Sequence, residues 1–189
     1  MKKKVILVLV LLSIAAITNV HAFGIGAQYN FFPGSTFGKA VSLTHGFSLL
    51  VSPIEPLNIA ANYFLPPKGQ RNYNGLAVTA DYSPKFLTFR LFGSKPTLVG
   101  DGKAWWFNIN IGIGGYANFW FGPNYPFTVT GGLRLPVGFN VLLGSGLFEI
   151  FAHCAPSVGL NFTPAFGTGE WAFPVEIGAR VWLFKKKTY

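Results

Sequence analysis

From residue 23 onward, apolar and polar side chains alternate with a period of two through most of the chain. That period belongs to a strand with one apolar and one polar face. The first run sets Phe23, Ile25, Ala27, Tyr29 and Phe31 against Gly24, Gly26, Gln28 and Asn30. The second sets Val41, Leu43, Phe47, Leu49 and Val51 against Ser42, Thr44, Gly46 and Ser48. The third has Leu57, Ile59, Ala61, Tyr63 and Leu65 opposite Asn58, Ala60 and Asn62, and the fourth Leu76, Val78, Ala80 and Tyr82 opposite Thr79, Asp81 and Ser83. The fifth keeps Trp105, Phe107, Ile109, Ile111, Ile113, Ala117, Phe119 and Phe121 on one parity. The sixth places Val129, Leu133, Leu135, Val137, Phe139, Val141 and Leu143 opposite Thr128, Thr130, Arg134 and Asn140. The seventh and eighth put Phe148 to Phe162 and Phe173 to Leu183 in step, against Glu149, His153, Ser157 and Asn161, then Glu176, Gly178 and Arg180.

Eight runs predict eight antiparallel strands in up-and-down order. Pro84 to Lys103 is the weak stretch, read as the end of strand four plus a connection. A ten-stranded count follows if Phe86 to Phe92 forms its own strand and the fifth run splits near Gly114 and Gly115. Pro136, Pro156 and Pro174 fall inside runs. A proline removes a ladder donor, so bulges are expected there, near the rims of the strands.

Composition decides which face meets what. Half of the residues are hydrophobic, 17% are aromatic and only 11% are charged. A soluble domain carries about twice that charge. The polar faces hold Gly, Asn, Ser and Thr with few Lys or Glu, unlike a surface in water. After residue 22 no apolar run reaches the length of a spanning helix. A closed barrel is the other structure that satisfies every backbone group in a bilayer. The expected fold is therefore an all-β transmembrane antiparallel barrel, apolar face to lipid and polar face to the lumen.

Residues 1–22 read as a cleaved secretory signal: Lys2, Lys3 and Lys4, an apolar stretch from Val5 to Ile17, then Val20-His21-Ala22. The barrel occupies 23–184 and a basic tail 185–189. Removing three signal lysines lowers the formal charge from +9 to +6. Three of the remaining charges sit in the tail and the rest are scattered, so no basic face for nucleic acid forms. Anionic lipid is the expected attraction. Cys154 is the only cysteine, which excludes an internal disulfide.

With both ends of the chain on one side, taken as the periplasm, Phe31, Tyr63, Phe119, Phe121, Phe127, Phe162 and Phe173 gather toward the other side as an aromatic girdle. Gly144-Ser145-Gly146 and Pro53 to Pro56 make short turns, while Pro66 to Gly75 and Thr163 to Trp171 make longer outer loops. In the last strand Glu176, Gly178, Val181, Leu183 and Phe184 follow polar-x-Gly-x-x-apolar-x-apolar and then an aromatic. This resembles the C-terminal sorting signal of bacterial outer-membrane barrels, and the architecture resembles the small OmpW and OmpX kind. The resemblance implies Sec export, placement in the outer membrane by the barrel-assembly machinery, and outer-membrane lipids as partners. Lys185 to Tyr189 extend past the usual terminal aromatic.

Some small barrels of this kind are lipid-modifying enzymes and resemble His-x-Ser on a strand. His153-Cys154-Ala155 and His45-Gly46-Phe47 lack that serine, so no enzyme is expected. No cofactor or metal site is expected either. The distinctive constellation is inward: Asp81, Arg134, Glu149, His153, Glu176 and Arg180 share the polar parity. The expectation is a plug of ion pairs in a narrow lumen, with Arg134 and Glu149 as mutual partners. A structural or surface-interaction role follows, with a narrow channel or carrier for small solutes as the alternative.

Overall fold

The computed structural model describes residues 22–32, 34–36, 39–40, 44–65, 74–92, 105–123, 125–143, 146–167 and 169–183. Residues 1–21, on which the expected signal segment falls, lie outside them, as do Phe184 and residues 185–189. The described strands all belong to one antiparallel sheet. They are β1 (Gly24–Phe32), β2 (Gly34–Thr36), β3 (Lys39–Ala40), β4 (Thr44–Ile54), β5 (Leu57–Leu65), β6 (Asn74–Tyr82), β7 (Lys85–Phe92), β8 (Trp105–Ile111), β9 (Ile113–Gly122), β10 (Tyr125–Arg134), β11 (Val137–Leu143), β12 (Phe148–Cys154), β13 (Ser157–Thr163), β14 (Gly169–Ala172) and β15 (Val175–Trp182).

There are more segments than the eight runs of the sequence. The reason is local. β6 and β7 are parted only at Ser83-Pro84, β8 and β9 at Gly112, β10 and β11 at Leu135-Pro136, β12 and β13 at Ala155-Pro156, and β14 and β15 at Phe173-Pro174. The fifth run thus breaks at Gly112, two residues before the expected glycine pair. Phe86 to Phe92 is strand, carried on directly from β6.

The prolines do not make the bulges expected of them. Arg134 faces Ser157 before the break and Val137 faces Cys154 after it, so neither strand gains a residue. Each proline keeps one bond of its cross-strand pair and lacks the return bond, having no N–H. Gly112 N donates to Pro136 O at 2.8 Å, Leu135 N to Pro156 O at 2.9 Å, and Ala155 N to Pro174 O at 2.9 Å. The breaks lie in mid-ladder, opposite one another on neighbouring strands, and not at the rims. The register shifts that do occur fall elsewhere, at Val129/Thr130 and Lys85/Leu87 among others.

Runs that follow one another in the sequence pair with each other, and β1 pairs with both β4 and the last strand, β15. The sheet therefore curls back on itself. A single register row traces the curl: Lys85 to Asn110, Gly138, His153, Glu176, Asn30, Gly46, Phe64 and finally Gly75. It returns to the β6–β7 stretch ten residues before its starting point, Lys85 against Gly75.

Burial alternates as the sequence does, with the ordinary sorting inverted. β5 and β6 read buried-exposed in strict alternation, with Ala60, Asn62 and Phe64 in, and Ile59, Ala61 and Tyr63 out. The inner face is mostly polar: Asn30, Ser52, Asn108, Asn118, Thr130, Glu149 and Arg134 are all at most 3% exposed. The outer face shows Leu49 at 71%, Val158 at 63% and Leu133 at 62%.

Candidate functional site

Three small apolar clusters punctuate the polar interior. Phe64, Ala77, Trp120 and Ala172 close the end away from the chain termini, with the Phe64 and Trp120 rings stacked at 5.6 Å. Ala22, Leu142 and Trp182 fill the end where the termini lie, with Trp106 against them. Leu50, Ala60 and Phe151 form a third cluster between.

Two ion clusters occupy the levels between these layers. In the first, Arg134 Nε lies 3.0 Å from Asp81 Oδ1 and Arg134 Nη2 donates to Glu176 Oε1 at 2.6 Å. Strand register explains the meeting. Asp81 faces Gly114, Gly114 faces Arg134, and Arg134 faces Ser157 across neighbouring strands. Gly114 is what lets Asp81 in, since a Cβ there would overlap the Asp81 carboxylate and meet Ala80 O at 2.6 Å.

In the second cluster, Arg180 Nη2 donates to Glu149 Oε1 at 2.6 Å, and Arg180 also bonds Ser52 and Asn58. Glu149 accepts from Trp182 Nε1 at 2.6 Å and from Asn140 Nδ2 at 2.6 Å. Asn140 in turn accepts from Asn108 at 2.6 Å, and Asn108 from Thr88 at 2.8 Å. The Arg180 guanidinium stacks 4.6 Å from the Trp182 ring centroid. A carboxylate with no solvent contact thus has each oxygen engaged, the condition for a buried charge to be tolerated.

The structure brings all six expected inward residues to the interior but pairs them differently. Arg134 belongs with Asp81 and Glu176, and Glu149 with Arg180; the expected Arg134–Glu149 pair is not formed. Both arginines and both glutamates alternate correctly, so parity alone left two pairings open, and the register across three strands selects one. His153 faces Glu176 in register and stacks on Phe151 at 5.1 Å.

Sequence reasoning missed Glu170, which accepts from Tyr116 Oη at 2.6 Å in the interior near the far end. Its strand segment is four residues long and follows a loop, too short to show a period. Also missed was the amide network of Gln28, Asn30, Ser48 and Asn62, in which Asn30 Nδ2 donates to Asn62 Oδ1 at 2.8 Å and Gln28 to Asn30 at 3.0 Å. Trp120 is accommodated by Gly75 and not by the glycines of the fifth run.

Of the expected girdle, Tyr63, Phe121, Phe127, Phe162 and Phe173 are exposed on the outer face, and Phe31 and Phe119 half-buried there. Tyr63 and Phe119 share one row through Leu76. Trp171 adds an outward ring 5.5 Å from Phe173. In the sorting pattern Glu176 points inward, Leu183 outward, and Gly178 leaves room for the Phe151 ring. His45 and His153 lie on opposite faces; His45 stacks with Tyr29 at 6.3 Å on the outside.

No family model matches the chain, and no curated protein does. Among solved structures it is similar to Neisserial surface protein A, at 12% identity and a TM-score of 0.43, over 84% of this chain and 96% of that one. It is also similar to the N-terminal β-barrel domain of Pseudomonas aeruginosa OprF, at 12% identity and a TM-score of 0.31, over 85% and 98%.

Proposed function

We propose that the chain is an integral outer-membrane protein. In this reading the curled sheet is a closed barrel of eight staves, each segment pair parted by a proline or Gly112 counting as one. The ten-residue return of the register row is then its shear. With a rise of about 3.3 Å and a strand spacing of about 4.8 Å, eight staves and a shear of ten tilt the strands by about 40°, inside the usual range. Its partners are outer-membrane lipids and, during assembly, the barrel-assembly machinery that the sorting pattern implies. The finer likeness to the OmpW and OmpX kind rests on the sequence pattern alone.

The observation that carries the reading is the inverted burial. Phe47, Leu49, Leu133, Phe148, Val158 and Phe162 are each at least 50% exposed, beside many more half-exposed apolar side chains. Withdrawing one such side chain from water is worth about 1.5–3 kcal/mol. Left in water, the outer face would forgo tens of kcal/mol, against a net stability of about 5–15 kcal/mol for a domain. Hydrocarbon removes that conflict.

The role within the membrane is structural or one of surface interaction, with no reaction assigned. Apolar clusters near both ends and buried ion pairs between them favour a filled lumen over an open path. The test combines two measurements on refolded protein. Unboiled and boiled samples should migrate differently on a detergent gel, because a closed sheet without free edges resists detergent. Planar bilayers should show no steady ion-conducting step. Equal migration would overturn the barrel, and a stable conductance would overturn the filled lumen.

A further inference from the structure

Arg180 and Ser83 are 5% and 8% exposed, yet Arg180 Nε and Ser83 Oγ have no hydrogen-bond partner among the described residues. The buried Nε2 of His153 has none either. A polar atom enclosed in this way is costly to leave unpaired, and an internal water is the usual remedy. The three side chains come from separate parts of the chain. Ser83 follows β6 and is fixed by its N–H, which donates to Pro56 O at 3.0 Å. His153 and Arg180 stand on β12 and β15, opposite Glu176 and Glu149.

All three line two adjoining cavities, and Asn58 is a wall of both. One cavity, of about 20 Å³, extends past Trp182 to Glu55 and Lys85, whose side chains are 29% and 26% exposed. The other, of about 10 Å³, extends inward to Thr79, Asp81 and Glu176. A third, of about 20 Å³, shares Thr79 and Glu176 with the second and runs on to Asn62, Arg134 and Phe64. A cavity of about 10–15 Å³ holds one water when polar groups surround it. Each of the three therefore has the size and the polar walls for about one molecule. Past the third stands the apolar layer of Phe64, Ala77, Trp120 and Ala172.

We propose that the lumen holds a file of water molecules that enters beside the Glu55–Lys85 pair, passes between Ser83, His153 and Arg180, and ends at Phe64. The ligand is water and, with it, the proton. A chain of waters relays protons from one molecule to the next, while cavities of one-water size have no room for a hydrated ion. Solvent then reaches the Asp81–Arg134–Glu176 cluster from one end only, in a lumen that stays closed to ions. The proposal rests on the interior packing and not on the bilayer reading.

The test uses the full chain, isotope-labelled and refolded in zwitterionic detergent, with folding checked by gel migration. Nuclear magnetic resonance reads magnetisation transfer from water to Arg180 Nε–H and to the side-chain amide of Asn62 in the third cavity. Both should receive it in the unaltered chain. Ser83→Val puts a methyl group in place of the hydroxyl at the junction of the first two cavities. Transfer to Asn62 should then be lost, while the side-chain amide of Asn110, which lines the cavity nearest Glu55 and Lys85, should keep its own. Absence of transfer to Arg180 Nε–H in the unaltered chain would mean a dry interior and would overturn the proposal, whether or not the variant folds. So would transfer to Asn62 that persists in folded Ser83→Val, which would mean that water arrives from the Phe64 end.

Discussion

Arg134 answers to two carboxylates at once, Asp81 at 3.0 Å and Glu176 at 2.6 Å, with 3% of its side chain exposed. Replacing it by methionine keeps the volume and strands two acids in a dry interior. Breaking a buried pair in this way costs about 3–5 kcal/mol. Arg134→Met should therefore lower the urea midpoint of the refolded protein sharply. Adding Glu149→Leu should bring no recovery, because Glu149 is held by Arg180. Glu149→Leu combined with Arg180→Met, by contrast, should be less damaging than either alone. Recovery in the Arg134/Glu149 pair would contradict the observed pairing. Gly114→Ala tests the same cluster sterically: the new methyl meets both the Asp81 carboxylate and the Ala80 carbonyl. Overpacking of that kind costs about 1–3 kcal/mol, read from the same unfolding curve. At this scale the sequence disclosed which side chains point inward, since parity alone settles that. It did not disclose their partners. Asp81, Arg134 and Glu176 are far apart in the chain, and their meeting depends on register summed across several ladders.

At the scale of elements the alternation was legible almost throughout. Odd positions face out in β4, β5 and β8 to β11, and even positions in β6 and β12 to β13, as the runs of apolar residues require. The interruptions were not legible as what they are. A proline in a strand signals a lost donor, and the extra residue of a bulge is the usual remedy. Here the register row brings Gly112, Pro136, Pro156 and Pro174 to adjoining cross-strand positions, so each break is matched by its neighbour's and no residue has to be added. Pro156→Ala would supply an N–H aimed at the Leu135 carbonyl. The new bond is worth about 0.5–1.5 kcal/mol, and the freer unfolded chain costs about 0.4–1 kcal/mol. These nearly cancel, so the global midpoint should shift little. The readout is local: the new amide at position 156 should exchange slowly with solvent. Fast exchange there would mean that the strands have parted at the row, and that the unbroken register is wrong.

For the molecule as a whole, an inner face of asparagine, serine and threonine with paired charges encloses what a soluble protein would fill with leucine. The outer face carries the leucine, valine and phenylalanine. This inversion follows from composition and period together: 11% charged residues leave too few to coat a surface in water, and the period puts the polar remainder on one side. The central claim is that the apolar face lies against hydrocarbon. Nitroxide labels in a Cys154→Ser background test it directly, at Leu49, Val78, Leu133 and Ile150 on four different strands, with Glu55 at the turn as the reference. In phospholipid vesicles, oxygen partitions into the bilayer and a nickel chelate stays in water. The account predicts frequent collision with oxygen and little with nickel at the four strand sites, and the reverse at Glu55. Strong nickel collision at Leu49, Val78, Leu133 and Ile150 would show that the apolar face meets water, and would contradict a membrane-spanning barrel.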